Sequence, residues 1–224
     1  MSKAAASVMI GVFEHLVCLR ISGRANFASS IEFKKVVSEL HKRGHRRFVL
    51  DVTDCQMMDS TFLGTLAGIG LDFAKGSGNG ASASLELLNP NERISDLLEG
   101  LGVAHLFSTV KAEASDPEKL KELEASQPAN RVELARNCLE AHQLLMSINP
   151  ENVGKFRDCT RFLAEDLKRL ESQVAGPTQG LPVPGPSSDQ FSHQFKAKKN
   201  VPRFPPENCP CPGSSKLQFS RTTR

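Results

Sequence analysis

The stretch Asp51-Val52-Thr53-Asp54-Cys55-Gln56-Met57-Met58-Asp59-Ser60-Thr61-Phe62-Leu63-Gly64 decides the fold. Arg47 to Val52 is an apolar run of strand length that ends at an acid, and a short loop follows. A second acid then stands directly before Ser-Thr at the opening of a helical pattern. From Ser60 to Lys75, Leu63, Leu66, Ala67, Ile69, Leu71 and Phe73 recur at helical spacing. Upstream, Val8 to Phe13 and Leu16 to Ile21 are β-rich runs, closed by Gly23. Phe27 to Arg43 repeats apolar residues at helical intervals (Phe27, Ile31, Phe33, Val36, Val37, Leu40), and Gly44 supplies the stop. Downstream, a flexible loop from Gly76 to Gly80 leads to a strand at Ser84 to Leu88, a helix at Glu92 to Leu101 and a strand at Leu106 to Val110. Strands alternating with helices imply an α/β unit, a mixed β-sheet covered by helices.

Beyond residue 115 the composition changes. Residues 116–174 read as a helical hairpin extension. One stripe runs through Val132, Ala135, Leu139, His142 and Leu145, and a second through Val153, Phe156, Thr160, Leu163, Leu167, Leu170 and Val174. Asn149-Pro150 reads as the start of the second helix, with Asn as cap. Three uses are open to this hairpin: docking on the domain, homodimerisation, or binding a partner. Residues 175–224 form a Pro-rich basic tail holding nine of the thirteen prolines, and read as disordered.

The chain has 224 residues and a net charge of +3, but the tail alone carries +5 and the remainder −2. A nucleic-acid-binding body is therefore not expected. No apolar run approaches the length that spans a bilayer, and the six cysteines are too sparse for a disulfide framework. Reduced thiols in a cytoplasmic protein are the expectation, with no membrane association.

Chemistry concentrates at Ser60. A Ser at a helix start reads first as an N-cap. The same place favours added negative charge and offers N–H donors to phosphate oxygens. Gly64, Gly68 and Gly70 in the same helix would let another backbone approach, from the domain's own sheet or from a partner. Rival chemistries lack their partners. The glycine-rich loop has no Gly-Lys-Ser/Thr, and Cys209-Pro210-Cys211 has no second ligand pair. Ser60 lies in no Gly-x-Ser-x-Gly elbow, and the six histidines show no ligand spacing. Neither a catalytic residue nor a metal or cofactor is expected.

The Asp51 to Gly64 stretch resembles the signature of STAS domains, most closely the bacterial anti-sigma factor antagonists, over residues 8–112. In that family an Asp-Ser pair at the start of the second helix carries the regulatory phosphorylation site. The resemblance implies Ser60 as phosphoacceptor. It implies Asp59, Thr61, Asn26, Asp51 and Thr53 as its neighbours or as partner-binding residues. Asn26 stands in Gly23-Arg24-Ala25-Asn26 where the family often has Asp, and Phe62 stands where Gly is common. The implied function is non-catalytic partner switching. The unphosphorylated chain binds an anti-sigma factor serine kinase, phosphorylation of Ser60 ends the binding, and a serine phosphatase resets it. The alternative is a STAS-domain regulatory subunit of a transporter or signalling scaffold.

Overall fold

A computed structural model describes residues 6–14, 16–76, 83–123 and 129–174. The tail, residues 175–224, and most of the glycine-rich loop lie outside the described residues. Strand β1 (Ser7–Val12) pairs antiparallel with β2 (Val17–Ala25), and β2 runs parallel to β3 (Arg47–Asp51). Next to β3 come β5 (Ser84–Leu88) and β6 (Ser108–Val110), both parallel. Strand β2 is long enough to serve two partners. Its first half holds β3, while Gly23 to Ala25 pair with β4 (Cys55–Met58). A two-residue strand, β7 (Lys121–Glu122), closes the far edge against β1. The sheet order is β6-β5-β3-β2-β1-β7, with β4 attached to β2.

The middle of the sheet is covered on both faces, and the pleat sorts the side chains. Val17, Leu19 and Ile21 of β2, Phe48 and Leu50 of β3, and Leu85 and Leu87 of β5 enter the main core. There they meet helices α1 (Phe27–Lys42), α2 (Ser60–Lys75) and α3 (Glu92–Gly100). The alternate residues Cys18, Val49 and Leu88 enter a smaller cluster on the other face, which Leu120 and Ala112 cover. Helix α1 ends as expected, with Gly44 in the left-handed region at φ 100°.

The helical extension docks on the domain. Helix α4 (Arg131–Ile148) lies against α2 and α1, and α5 (Asn152–Val174) packs back on α4. Leu145 is fully buried and joins the main core. Asn137 Nδ2 donates to Ser30 Oγ of α1 at 2.8 Å and to Thr65 Oγ1 of α2 at 3.5 Å. Lys34–Glu140 and Lys35–Glu133 ion pairs line the α1 side. Helix α2 is thus an interior helix between sheet and hairpin, which explains why ten of its sixteen residues are buried. The turn between α4 and α5 departs from the expectation only in where the second helix starts. Asn149 closes α4 and its side chain accepts from Glu151 N, as the expected cap would, while α5 itself runs from Asn152. Asn152 is buried and donates to Leu101 O and Leu145 O, tying the turn to the domain.

Candidate functional site

Two helix N-termini meet at the ends of β2 and β4. Asn26 follows β2 and caps α1: its Oδ1 accepts from Ala28 N and Ser29 N, and Ser29 Oγ accepts from Asn26 N. Asp59 follows β4 and caps α2, with Oδ1 accepting from Phe62 N at 2.8 Å. Its other oxygen accepts from Phe27 N at 2.8 Å, the first residue of α1, while its own N–H donates to Ala25 O. One carboxylate therefore joins both helix starts, at the positive ends of both dipoles.

This corrects the reading of Ser60 as the cap. Asp59 satisfies the first turn of α2, and Ser60 is the first residue inside the helix, half-buried, with its hydroxyl free for another use. That use is long-range. Ser60 Oγ lies 2.9 Å from His142 Nε2 of α4. The other ring nitrogen, Nδ1, lies 2.8 Å from Cys138 O. A carbonyl only accepts, so Nδ1 carries a proton; in the neutral ring Nε2 is then the acceptor and the Ser60 hydroxyl the donor. His142 is buried, its ring packed on Phe156 of α5 at 4.8 Å.

The surrounding α2 surface is equally committed to α4. Thr61 is buried and its hydroxyl faces Cys138 Sγ at 3.7 Å. Burial pushes the Cys138 thiol up, away from thiolate chemistry, and does the same to Cys55. A Cβ at Gly64 would stand 2.6 Å from Ala141 O, so the absence of a side chain there sets the helix spacing. The close approach that the glycines allow is thus made at Gly64 by the chain's own hairpin. Gly70 instead faces Phe107 and Leu106.

Asp51 and Thr53 belong to a separate group. Asp51 is fully buried; one oxygen accepts from Thr53 N at 3.0 Å and Thr53 Oγ1 at 2.6 Å, the other from Ser115 N at 2.7 Å and Ser115 Oγ. Burial pushes the carboxyl up, but the bonds from Ser115 and Thr53 outweigh it and hold it below the ordinary range. Arg20 adds bonds to Ser115 O and Asp54 Oδ2. Thr53 Oγ1 also accepts from Asn89 Nδ2, whose side chain bonds Ala112 at both N and O. This network fastens the chain after β6 to the strand ends. Among the implied residues, Asn26, Asp59, Ser60 and Thr61 come together at the helix starts; Asp51 and Thr53 join the Ser115 network.

His142 is the residue that sequence reading passed over. It stood in the apolar α4 stripe, where a polar side chain on a buried face needs a partner. That signal says only that a partner exists. Separating the two roles by substitution is direct. Asp59→Ala should lose the α2 cap and the tie to α1, about 2 kcal/mol in denaturant melts. Ser60→Ala should keep the cap and lose about 1 kcal/mol, from His142 left without its donor. Equal loss of amide protection through α2 in both variants would return the cap to Ser60.

Among the described residues no group of three or more His, Cys, Asp or Glu gathers that could hold a metal, and no helix is long and apolar enough to cross a membrane. The family model for the STAS domain matches residues 7–115. Among solved structures, the chain is similar to the anti-sigma factor antagonist SpoIIAA in its unphosphorylated form, at 15% identity over 47% of this chain and 88% of that one, with a TM-score of 0.40. It is similar to the Bacillus cell fate determinant SpoIIAA in the phosphorylated form, at 15% identity over 47% and 91%, TM-score 0.38. The NMR structure of the protein TM1081 matches at 22% identity over 46% and 79%, TM-score 0.40. No curated protein matches the chain.

Proposed function

Residues 7–115 are a STAS domain, and from that premise we propose that the chain is a phosphorylation-controlled partner-switching protein of the anti-sigma factor antagonist type. Its partner is an anti-sigma factor with serine-kinase activity, bound while Ser60 is unphosphorylated. A serine phosphatase removes the phosphate and resets the switch. The protein acts by binding rather than catalysis, so nucleotide and metal belong to the kinase.

The observation that carries this reading is the division of labour at the start of α2. Asp59 holds the helix, which relieves the neighbouring hydroxyl of Ser60 of capping and leaves it to face His142 Nε2. Thr61 is less suited as acceptor, being buried against α4. A phosphate at Ser60 would meet the positive end of the dipole and first-turn N–H groups, so α2 should survive modification. Exposed Phe27, at the start of α1 beside Asp59, offers an apolar contact on the same rim.

Affinity capture tests the reading. Immobilised wild type and Ser60→Ala should retain a serine kinase from a lysate of the source cells, and ATP should then label wild type alone at Ser60. Ser60→Asp should bind the kinase at least about a hundredfold more weakly, since one unfavourable charge near 4 Å amounts to about 4 kcal/mol at intermediate dielectric. Retention of transporter or scaffold subunits, indifferent to residue 60, would overturn this reading in favour of a regulatory subunit of another assembly.

A further inference from the structure

We infer that His142 is a built-in receptor for the phosphate on Ser60, so that phosphorylation fastens the α4–α5 hairpin to α2 instead of releasing it. The inference rests on Ser60 being the phosphoacceptor. Its own ground is the geometry of three atoms: Ser60 Oγ, His142 Nε2 at 2.9 Å, and the Cys138 carbonyl that fixes the ring by accepting from Nδ1 at 2.8 Å.

With the ring neutral, one uncharged hydrogen bond links the serine to the hairpin. Phosphoryl transfer from a nucleoside triphosphate forms the Oγ–P bond, breaks the bond from phosphorus to the departing diphosphate, and frees the hydroxyl proton. In the neutral ring Nε2 already accepts a hydrogen bond through that proton, and taking the proton up converts the ring to imidazolium. The phosphate brings only acceptors, so a neutral ring would face it with a lone pair; the imidazolium faces it with N–H. Charge-assisted bonds of this kind are roughly twice as strong as neutral ones. Asp59 at the β4–α2 junction and Cys159 on α5 both act on Cys138 of α4, and neither is a cation. The His142 ring is the group that hydrogen-bonds Ser60 Oγ directly, so a positive charge on it would lie against the phosphate.

The rest of the contact argues that the hairpin stays. Leu145 is in the main core, Asn137 bonds both α1 and α2, and Asn152 ties the α4–α5 turn to Leu101. Ser60 is half-buried, which lets the phosphoryl group turn toward solvent while one oxygen keeps the ring. The phosphorylated chain therefore holds its own hairpin more tightly over the α2 face, and a partner needing that face competes with a stronger occupant.

The test installs phosphoserine at position 60 biosynthetically in the full chain, so no kinase is required. Imidazole nitrogen NMR at pH 7.5 should show Nε2 of His142 passing from unprotonated acceptor to protonated donor. Amide exchange in α4 and α5 should slow about tenfold on phosphorylation. In His142→Asn the slowing should disappear. An unchanged Nε2, or faster exchange in α4 and α5, overturns the inference, and both are read in the wild-type background whether or not the variant folds. Failure to find any kinase would instead sink the partner-switching reading and leave this result standing.

Discussion

Gly64→Val should lift the α4–α5 hairpin off the domain while the sheet and α1 to α3 remain folded. A Cβ at position 64 meets Ala141 O at 2.6 Å, and Ala141 C and Cβ at 2.9 Å. Two of these atoms are α4 backbone, which cannot rotate aside as a side-chain tip would. The helices must separate, and the bonds from His142 and Asn137, on the same part of α4, separate with them. Overpacking and lost buried hydrogen bonds together set the loss at about 3 kcal/mol or more. Gly64→Ala is the sharper comparison. Helix propensity alone would make it stabilising by about 1 kcal/mol, but the contact reverses the sign. Gly154→Ala in α5 has open space around it and should show the propensity gain uncorrupted. Exchange measurements should place the loss in α4 and α5, and a melting point raised alike by both alanine variants would mean that the hairpin is not seated on Gly64.

Local structure is more legible in this sequence than long-range chemistry, for a physical reason. Apolar periodicity is a local signal, and it gave β5 at Ser84 to Leu88 and α2 at Ser60 to Lys75 with the ends observed. Strand β4 escaped because Cys55-Gln56-Met57-Met58 is only four residues long and its partner is the far half of β2. Strand β7 has two charged residues, Lys121 and Glu122, and exists because β1 offers an edge. The cap of α2 is ambiguous by one position in the sequence, because Asp and Ser are both good capping residues and stand side by side; the structure gives it to Asp59. His142 is separated from Ser60 by 82 residues, and no spacing rule reaches across that distance. The glycines of α2 announced a close approach without naming the neighbour; the apolar stripe of α4 announced a burial without naming the surface. Each half of the contact was legible, and only folding joins them.

Asp51 provides the second large effect, and it can be read as a function of pH. Asp51→Asn keeps an oxygen for the Thr53 pair, because Thr53 N and Oγ1 converge on one atom. The other side receives an amide NH2 where Ser115 N–H already points. The Ser115 hydroxyl can turn to accept, but the backbone N–H cannot, and a buried donor is left facing a donor. That should cost about 2–3 kcal/mol and loosen the segment from Lys111 to Ser115. The carboxyl of wild type is held below its ordinary 3.8 in the folded state. A lowered folded value means that the unfolded chain takes up the proton first. The contribution is therefore present in full above 3.8 and is lost as pH falls through the lower folded value. Denaturant midpoints of wild type and Asp51→Asn should accordingly differ by a constant amount near neutral pH and converge only in strong acid. Convergence already at pH 5 would mean that Asp51 titrates above its ordinary range and that Ser115 and Thr53 do not outweigh its burial.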